Sequence, residues 1–201
     1  METGAFLIKS MKSIQSSYNK NQFYFMPHPL LKNYISHYTF TFSDVSHKKT
    51  DKAIPCELVI IPDGSGCIIF EISSKGLYEM YWGPTTKPVK VKNNTLETDT
   101  RMFFIEFLPG GLFALTGIPQ KELKDYKCSV YEIDKYLSTT IGNAIWSSKS
   151  IDELIRKVDK TLIQIIEQNN KINPFLKVII NRIKSSLGTI PIKVLAESEY
   201  I

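Results

Sequence analysis

Three histidines, His28, His37 and His47, stand in a turn-forming stretch, a strand-like run and a polar loop. A metal centre inside a small β-barrel needs closely spaced histidines and a carboxylate on facing strands. The glycine-bounded stretches here hold no histidine, so neither a metal site nor a cofactor is expected. Gly64-Ser65-Gly66 sets a serine between glycines, but a nucleophile elbow requires G-x-S-x-G at a strand-to-helix turn. This serine falls between two strand-like runs instead. Pro109-Gly110-Gly111 leaves backbone N–H groups free to hold an anion at a helix start, yet it lacks the Lys-Ser/Thr ending of a phosphate loop. Its plain reading is a bulge or chain reversal. Glu57, Glu71 and Glu106 lie on strand-like runs, and either line an interior or face solvent. No catalytic constellation emerges, and the chain is not expected to be an enzyme.

The elements that would position these groups change character near residue 130. Residues 9–22 are polar and weakly patterned, which predicts a flexible lead-in over 1–22. Pro27-His28-Pro29 forces an extended start, and Leu30, Leu31, Tyr34 and Ile35 suit a helical turn or two before the alternating Tyr38–Phe42. The runs Cys56–Ile61 and Cys67–Ile72, separated by Pro62-Asp63-Gly64-Ser65-Gly66, predict a hairpin. Leu77–Trp82 continues the sheet up to Gly83-Pro84. Val89–Lys92 and Met102–Phe107 complete it, with Asn93-Asn94 as the turn between them. Short strands punctuated by Gly and Pro predict a small antiparallel barrel or sandwich. Its aromatics, among them Tyr34, Tyr38, Phe40, Phe42, Tyr81, Trp82 and Phe104, fill a core or line a pocket for a small, partly apolar molecule.

Downstream, Leu112, Phe113 and Leu115 predict a short helix ended by Gly117, and Pro119 opens another through Leu123. Ile133, Tyr136, Leu137, Ile141, Ala144 and Ile145 fall on one helical face. Ser150-Ile151-Asp152-Glu153 has capping-box spacing, and Ile151, Leu154, Ile155, Val158, Leu162, Ile165 and Ile166 keep helical period for four turns. That apolar stripe packs on its own domain or forms a dimer seam. Asn173-Pro174 starts a further helix, with Phe175, Leu176, Ile179, Ile180, Ile183 and Leu187 as its apolar set and Gly188 as its stop. Gly188–Ile201 opens one more amphipathic helix.

The chain has 201 residues, 43% of them apolar, enough to bury a full core. Its net charge of +5 is spread over scattered lysines such as Lys9, Lys48, Lys87 and Lys92. Scatter argues against a nucleic-acid footprint inside this chain. Three cysteines, Cys56, Cys67 and Cys128, show no CxxC spacing, so reduced, buried thiols are expected. Neither a signal-peptide core nor a membrane-spanning run is visible, and a cytoplasmic location with no membrane partner is expected.

Taken in order, several segments resemble the N-terminal half of a branch of AraC-type transcriptional regulators. They are Pro29-Leu30-x-x-x-Tyr34-Ile35, Ile61-Pro62-Asp63-Gly64, Trp82-Gly83-Pro84-x-Thr86, Phe104-x-x-Phe107-x-Pro109-Gly110-Gly111, Leu123-x-Asp125 and Gly188-x-Ile190-x-Ile192-x-x-Leu195-Ala196. The resemblance covers nearly everything after Phe23. It implies an α+β fold, with a small antiparallel β-barrel or cupin-like sandwich followed by a C-terminal bundle of about three helices. The implied division is a β-rich sensor domain over 23–130, connecting helices over 131–187, and over 188–201 the start of a truncated helix-turn-helix domain.

In that frame Ile192, Leu195 and Ala196 open the helix-turn-helix core. Pro62, Asp63, Gly64, Trp82, Gly83, Pro84, Phe107, Pro109 and Gly110 are the pocket or hinge candidates. The implied partners are DNA, through a reading helix outside this chain, a small-molecule effector and a second copy of the chain. No effector contact carries over from the family. The competing expectations are a cupin-like small-molecule-binding protein and a metal-dependent β-barrel enzyme.

Overall fold

The computed structural model describes residues 14–15, 22–42, 57–62, 64–92, 100–169 and 174–198. His47, Cys56, Asp63, the Asn93-Asn94 turn and Asn173 lie outside the described residues. The fold is α+β. Its strands are β1 (Ile14–Gln15), β2 (Gln22–Phe25), β3 (Ile35–Phe42), β4 (Glu57–Ile60), β5 (Cys67–Ser73), β6 (Gly76–Trp82), β7 (Val89–Lys92), β8 (Arg101–Phe107) and β9 (Lys127–Cys128). Its helices are α1 (Gly111–Thr116), α2 (Val130–Ile133), α3 (Lys135–Ser147), α4 (Ile151–Asn169), α5 (Pro174–Ser185) and α6 (Ile192–Ser198), with a 3-10 turn at Pro29–Leu31. Two compact units result, residues 1–169 and 170–201.

The main sheet runs β1-β2-β3-β8-β5-β6-β9, and β4 pairs with β7 as a separate ribbon. The hairpin expected across residues 62–66 is therefore corrected. β4 takes β7 as its antiparallel partner, with Glu57 opposite Lys92, while β5 pairs with β6 and β8. The physical reason is that the link carries the chain from one sheet to the other. At Gly66 an added Cβ would strike the Trp82 carbonyl oxygen and the Leu112 side chain, so the glycine is needed for packing rather than for a tight turn. The tight hairpin is β5–β6, closed at Gly76 in a positive-φ conformation. β7 likewise pairs with β4 instead of preceding β8 in one sheet. Ile14–Gln15, expected in the lead-in, pairs with β2. Pro119–Leu123 forms successive turns, with Glu122 N–H bonded to Pro119 O at 2.9 Å, and not a helix.

Register places Phe25, Tyr38, Phe40, Ile68, Phe70, Tyr81, Phe103, Ile105 and Phe107 on one face of the sheet, and all are buried. Helices cover this face. Glu79 reaches from β6 to the start of α2, where it accepts from Ser129 Oγ at 3.0 Å and Tyr131 N–H at 2.8 Å. Gly142 of α3 sits against Leu77. From β3, Tyr38 Oη donates to Asp159 Oδ1 of α4 at 2.6 Å, and the same oxygen accepts His28 N–H at 3.2 Å.

All seven residues of the predicted α4 stripe are buried within this unit. At the start of α4, Ser150 Oγ accepts Glu153 N–H at 3.2 Å, but the Glu153 carboxylate accepts from Lys149 N–H at 2.9 Å. The reciprocal arm of the box is thus displaced by one residue. A complete capping box occurs instead at Ser129–Glu132, ahead of α2. Tyr136, expected on the apolar face of α3, is exposed, while Leu137, Ile141, Ala144 and Ile145 are buried. At helical period Tyr136 falls about 140° round the helix from Ile141, outside the arc that Leu137, Ile141 and Ile145 share.

Tyr81 is fully buried, and its hydroxyl has no hydrogen-bond partner among the described residues. Burial pushes its pKa well above the ordinary value. Because an unsatisfied buried hydroxyl carries its desolvation cost uncompensated, Tyr81→Phe is expected to stabilise the fold by about 1 kcal/mol. Urea denaturation with an unchanged m-value checks this, and a loss of stability would show that the hydroxyl is satisfied.

In the second unit α5 ends in a tight reversal, with Leu187 and Gly188 both at positive φ. Leu187 is exposed, contrary to its place in the predicted apolar set, because the left-handed turn lifts it off the helix face. Arg182 of α5 donates to Ser198 Oγ of α6 at 2.6 Å.

Candidate ligand-binding surface

The glycine and proline motifs prove to be pairs that lock to one another. Gly83 N–H donates to Tyr126 O at 3.0 Å and Asp125 N–H to Pro84 O at 2.8 Å. Asp125 in turn accepts from both the N–H and the hydroxyl of Thr86, each at 2.7 Å. These bonds hold the Asp125 carboxyl below its ordinary pKa. The segments around Trp82–Thr86 and Leu123–Asp125 thus form one clasp. A second clasp joins the Tyr34-Ile35 segment to Phe107–Gly111, through Leu108 N–H to Tyr34 O at 2.8 Å and the pairing of Ile35 with Phe107. Gly110, at φ 85°, precedes α1, and Gly111 lies against the Tyr34 carbonyl so closely that a side chain has no room. Pro62 and Gly64 lie in the link between the two sheets. Phe107 is core, and Pro109 is exposed at the turn before α1.

Both clasps gather at one end of the main sheet, and a transverse row of chemically active side chains crosses the sheet there. His37 stands opposite Glu106, Glu106 opposite Cys67, Cys67 opposite Trp82, and Trp82 opposite Lys127. Directly opposed residues share a face. This row therefore occupies the face turned away from the helices. His37 joins the row through the unbroken register of β3 with β8 from His37 to Phe42, and the register shifts only ahead of it, between Ile35 and His37. In a regular strand these two residues would share a face. The bulge instead lets Ile35 enter the core opposite Phe107 while His37 joins Glu106 on the other side.

His37 is held tightly. Its Nδ1 lies 2.9 Å from Ser36 Oγ, and the Tyr24 ring meets its edge with centroids 5.2 Å apart. Burial lowers its pKa from the ordinary histidine value, which favours the neutral ring. At the far end Lys127 Nζ sits 3.4 Å from the centroid of the buried Trp82 ring. Next to this row lie Thr39, Phe104, Ile69 and Met80, a mainly apolar strip. This face thus gathers an imidazole, a carboxylate and a cation beside Thr39, Ile69 and Trp82, which are buried, the mixture of polar and apolar groups from which sites for small amphipathic molecules are built. Among the described residues no three His, Cys, Asp or Glu side chains come together in a way that holds a metal ion.

Of this row, the sequence reading picked out Trp82 alone as a site candidate. His37, Glu106 and Cys67 were considered singly, and Lys127 was missed. The alternation of β3 and β8 was a usable signal for which residues share a face. Which strands stand side by side was not. Glu71 also lies on this face, half-buried, while for Glu57 only the backbone pairing is described. In α6, Leu195 is buried, Ala196 half-buried and Ile192 exposed. No helix among the described residues is long and apolar enough to cross a membrane.

Sheet, helix layer and polar row together define a two-layer α+β domain with one face of its sheet free of helices. The chain belongs to the DUF6597 family, a domain of unknown function, whose profile matches residues 24–129. That span starts in β2 and ends just before α2, so it takes in the row and both clasps. No curated protein and no solved structure is significantly similar to the chain.

Proposed function

We propose that this chain is the regulatory part of an AraC-type DNA-binding transcriptional regulator, a non-enzymatic cytoplasmic protein that senses a small effector. The observation that carries the reading is the ordered run of motifs from Pro29-Leu30 to Leu195-Ala196. Two features support it. The motifs of the first unit interlock as clasps around the polar row, which is the behaviour of a scaffold holding a ligand surface. In α6, Leu195 is buried and Ala196 half-buried, as suits core positions of an opening helix of a helix-turn-helix unit, whereas Ile192, expected in the same core, is exposed at the first turn of the helix.

In this reading an effector on the row biases how the first unit is arranged relative to the DNA-binding half. The bias cannot exceed the difference in its affinity for the two arrangements.

Mobility-shift assays on DNA upstream of the gene test the proposal. The full-length gene product is expected to bind with sequence preference, and residues 1–201 only at the weak, steeply salt-dependent level of non-specific contacts. Sequence-specific binding by residues 1–201, or its absence from the full-length product, overturns the reading.

A further inference from the structure

A cleft of about 410 Å³ lies along α4, beside the 3-10 turn that starts at Pro29. Arg156, Asp159, Lys160, Ile163 and Glu167 line it from α4, with His28 on the facing side. Their spacing along the helix, i, i+3, i+4, i+7 and i+11, sets the α4 side chains in one stripe beside the buried apolar one.

Asp159 is the unusual member. It is only 9% exposed, and both its hydrogen bonds, from Tyr38 Oη and His28 N–H, end on Oδ1. Oδ2 has no hydrogen bond to any described residue, and no described cation forms an ion pair with the carboxylate. Oδ2 opens on the cleft, and the His28 ring that faces it steadies the negative charge; an ammonium group bound there would add a full positive charge beside a largely buried carboxylate. One turn before Asp159, Arg156 spends only its Nε, on the Asp152 carbonyl at 3.4 Å, and Lys160, the residue after Asp159, has no described ion pair. Its terminal guanidinium nitrogens remain available to a carboxylate. An anion acceptor and a buried, half-used carboxylate thus adjoin in one cleft.

We propose that this cleft binds a free α-amino acid. The ammonium pairs with Asp159 Oδ2, the carboxylate with Arg156 and Lys160, and the side chain lies on Ile163. Glu167 at the far end of the stripe disfavours an acidic side chain, so the ligand class is an apolar or basic amino acid. The assignment rests on the α4 cleft alone and is independent of DNA binding and of the His37–Lys127 row.

Isothermal titration calorimetry of the purified chain with each of the twenty protein amino acids tests it. At least one apolar or basic member is expected to bind saturably. The same compound without its carboxylate, and the same compound without its amino group, should each bind at least tenfold more weakly. Arg156→Gln and Lys160→Gln, both exposed on α4, should each weaken binding about tenfold without altering the far-ultraviolet circular dichroism. Asp159→Asn also disturbs the Tyr38 contact, so the arginine and lysine variants carry the test. The proposal is overturned if no amino acid binds to the folded chain, if aspartate or glutamate binds best, or if the two variants leave affinity unchanged.

Discussion

Gly83→Ala is expected to cost about 3 kcal/mol of folding stability, at the upper end of what overpacking usually costs. An ideal Cβ on Gly83 falls inside contact distance of the Leu123 carbonyl oxygen and crowds the Leu123 Cβ. The obstacle is backbone, which cannot rotate away as a flexible side chain would. Relief requires moving the Leu123–Tyr126 turn, and with it the bonds from Gly83 N–H to Tyr126 O and from Asp125 N–H to Pro84 O. Because the turn leads directly into β9, the same displacement should shift Lys127 off the Trp82 ring. Thermal unfolding measures the first effect, and quenching of tryptophan fluorescence reads the second. A variant as stable as the parent would mean the clasp has slack. Gly64→Ala is the control: its Cβ meets nothing within 4 Å, although φ 74° still strains an alanine there.

Removing the carboxylate that ties sheet, 3-10 turn and α4 together is the other large effect. Asp159→Ala strips the acceptor from the buried Tyr38 hydroxyl and from His28 N–H, and should destabilise the first unit by about 3 kcal/mol. Tyr38→Phe removes one donor and should cost less. In a double-mutant cycle of Tyr38→Phe with Asp159→Ala, the two losses should combine to less than their sum, because both delete the same bond. Strict additivity would show that the contact contributes nothing.

The Asp159 carboxyl also makes a pH signature. Burial raises its pKa above 3.8, and the bonds from Tyr38 and His28 offset only part of that rise. Between 3.8 and the raised value the folded state therefore holds more protons than the unfolded chain, and stability falls as pH rises through this window. Relative to Asp159→Asn, which does not titrate, the parent protein should gain stability as pH is lowered through the raised pKa toward 3.8 and stay level above it. Urea midpoints of the two proteins over the acid range test the sign. A parent that loses stability relative to the asparagine variant on acidification would show a depressed pKa instead.

Helical order was legible along the chain because its cause is local. Ile151 through Ile166 repeat at helical period, and every member of that stripe is buried. Gly117 closes α1 in the left-handed conformation that a stop glycine supplies. Strand identity was legible for the same reason, from the β-branched and aromatic runs of β3, β5, β6 and β8. What periodicity cannot carry is the choice of neighbour. β4 and β5 are adjacent in sequence, with a turn-like link between them, yet they separate into two sheets, since pairing depends on which apolar faces can be buried together.

The candidate site divides along the same line. Trp82, Gly83, Pro84 and the Pro109-Gly110-Gly111 turn stood out by residue type, because a glycine pressed against a carbonyl leaves a local mark in sequence. His37, Glu106, Cys67 and Lys127 lie up to ninety positions apart in a chain of 201 residues, and they form a row with Trp82 only when five strands stand in register. A bulge of one residue in β3 decides that Ile35, two positions before His37, turns to the opposite face and into the core. Composition and period thus determined that this protein has an antiparallel sheet and amphipathic helices. Tertiary structure alone decided which strands meet, which face the helices cover and which side chains share a surface, because those are long-range pairings settled by burial, and no local pattern encodes them.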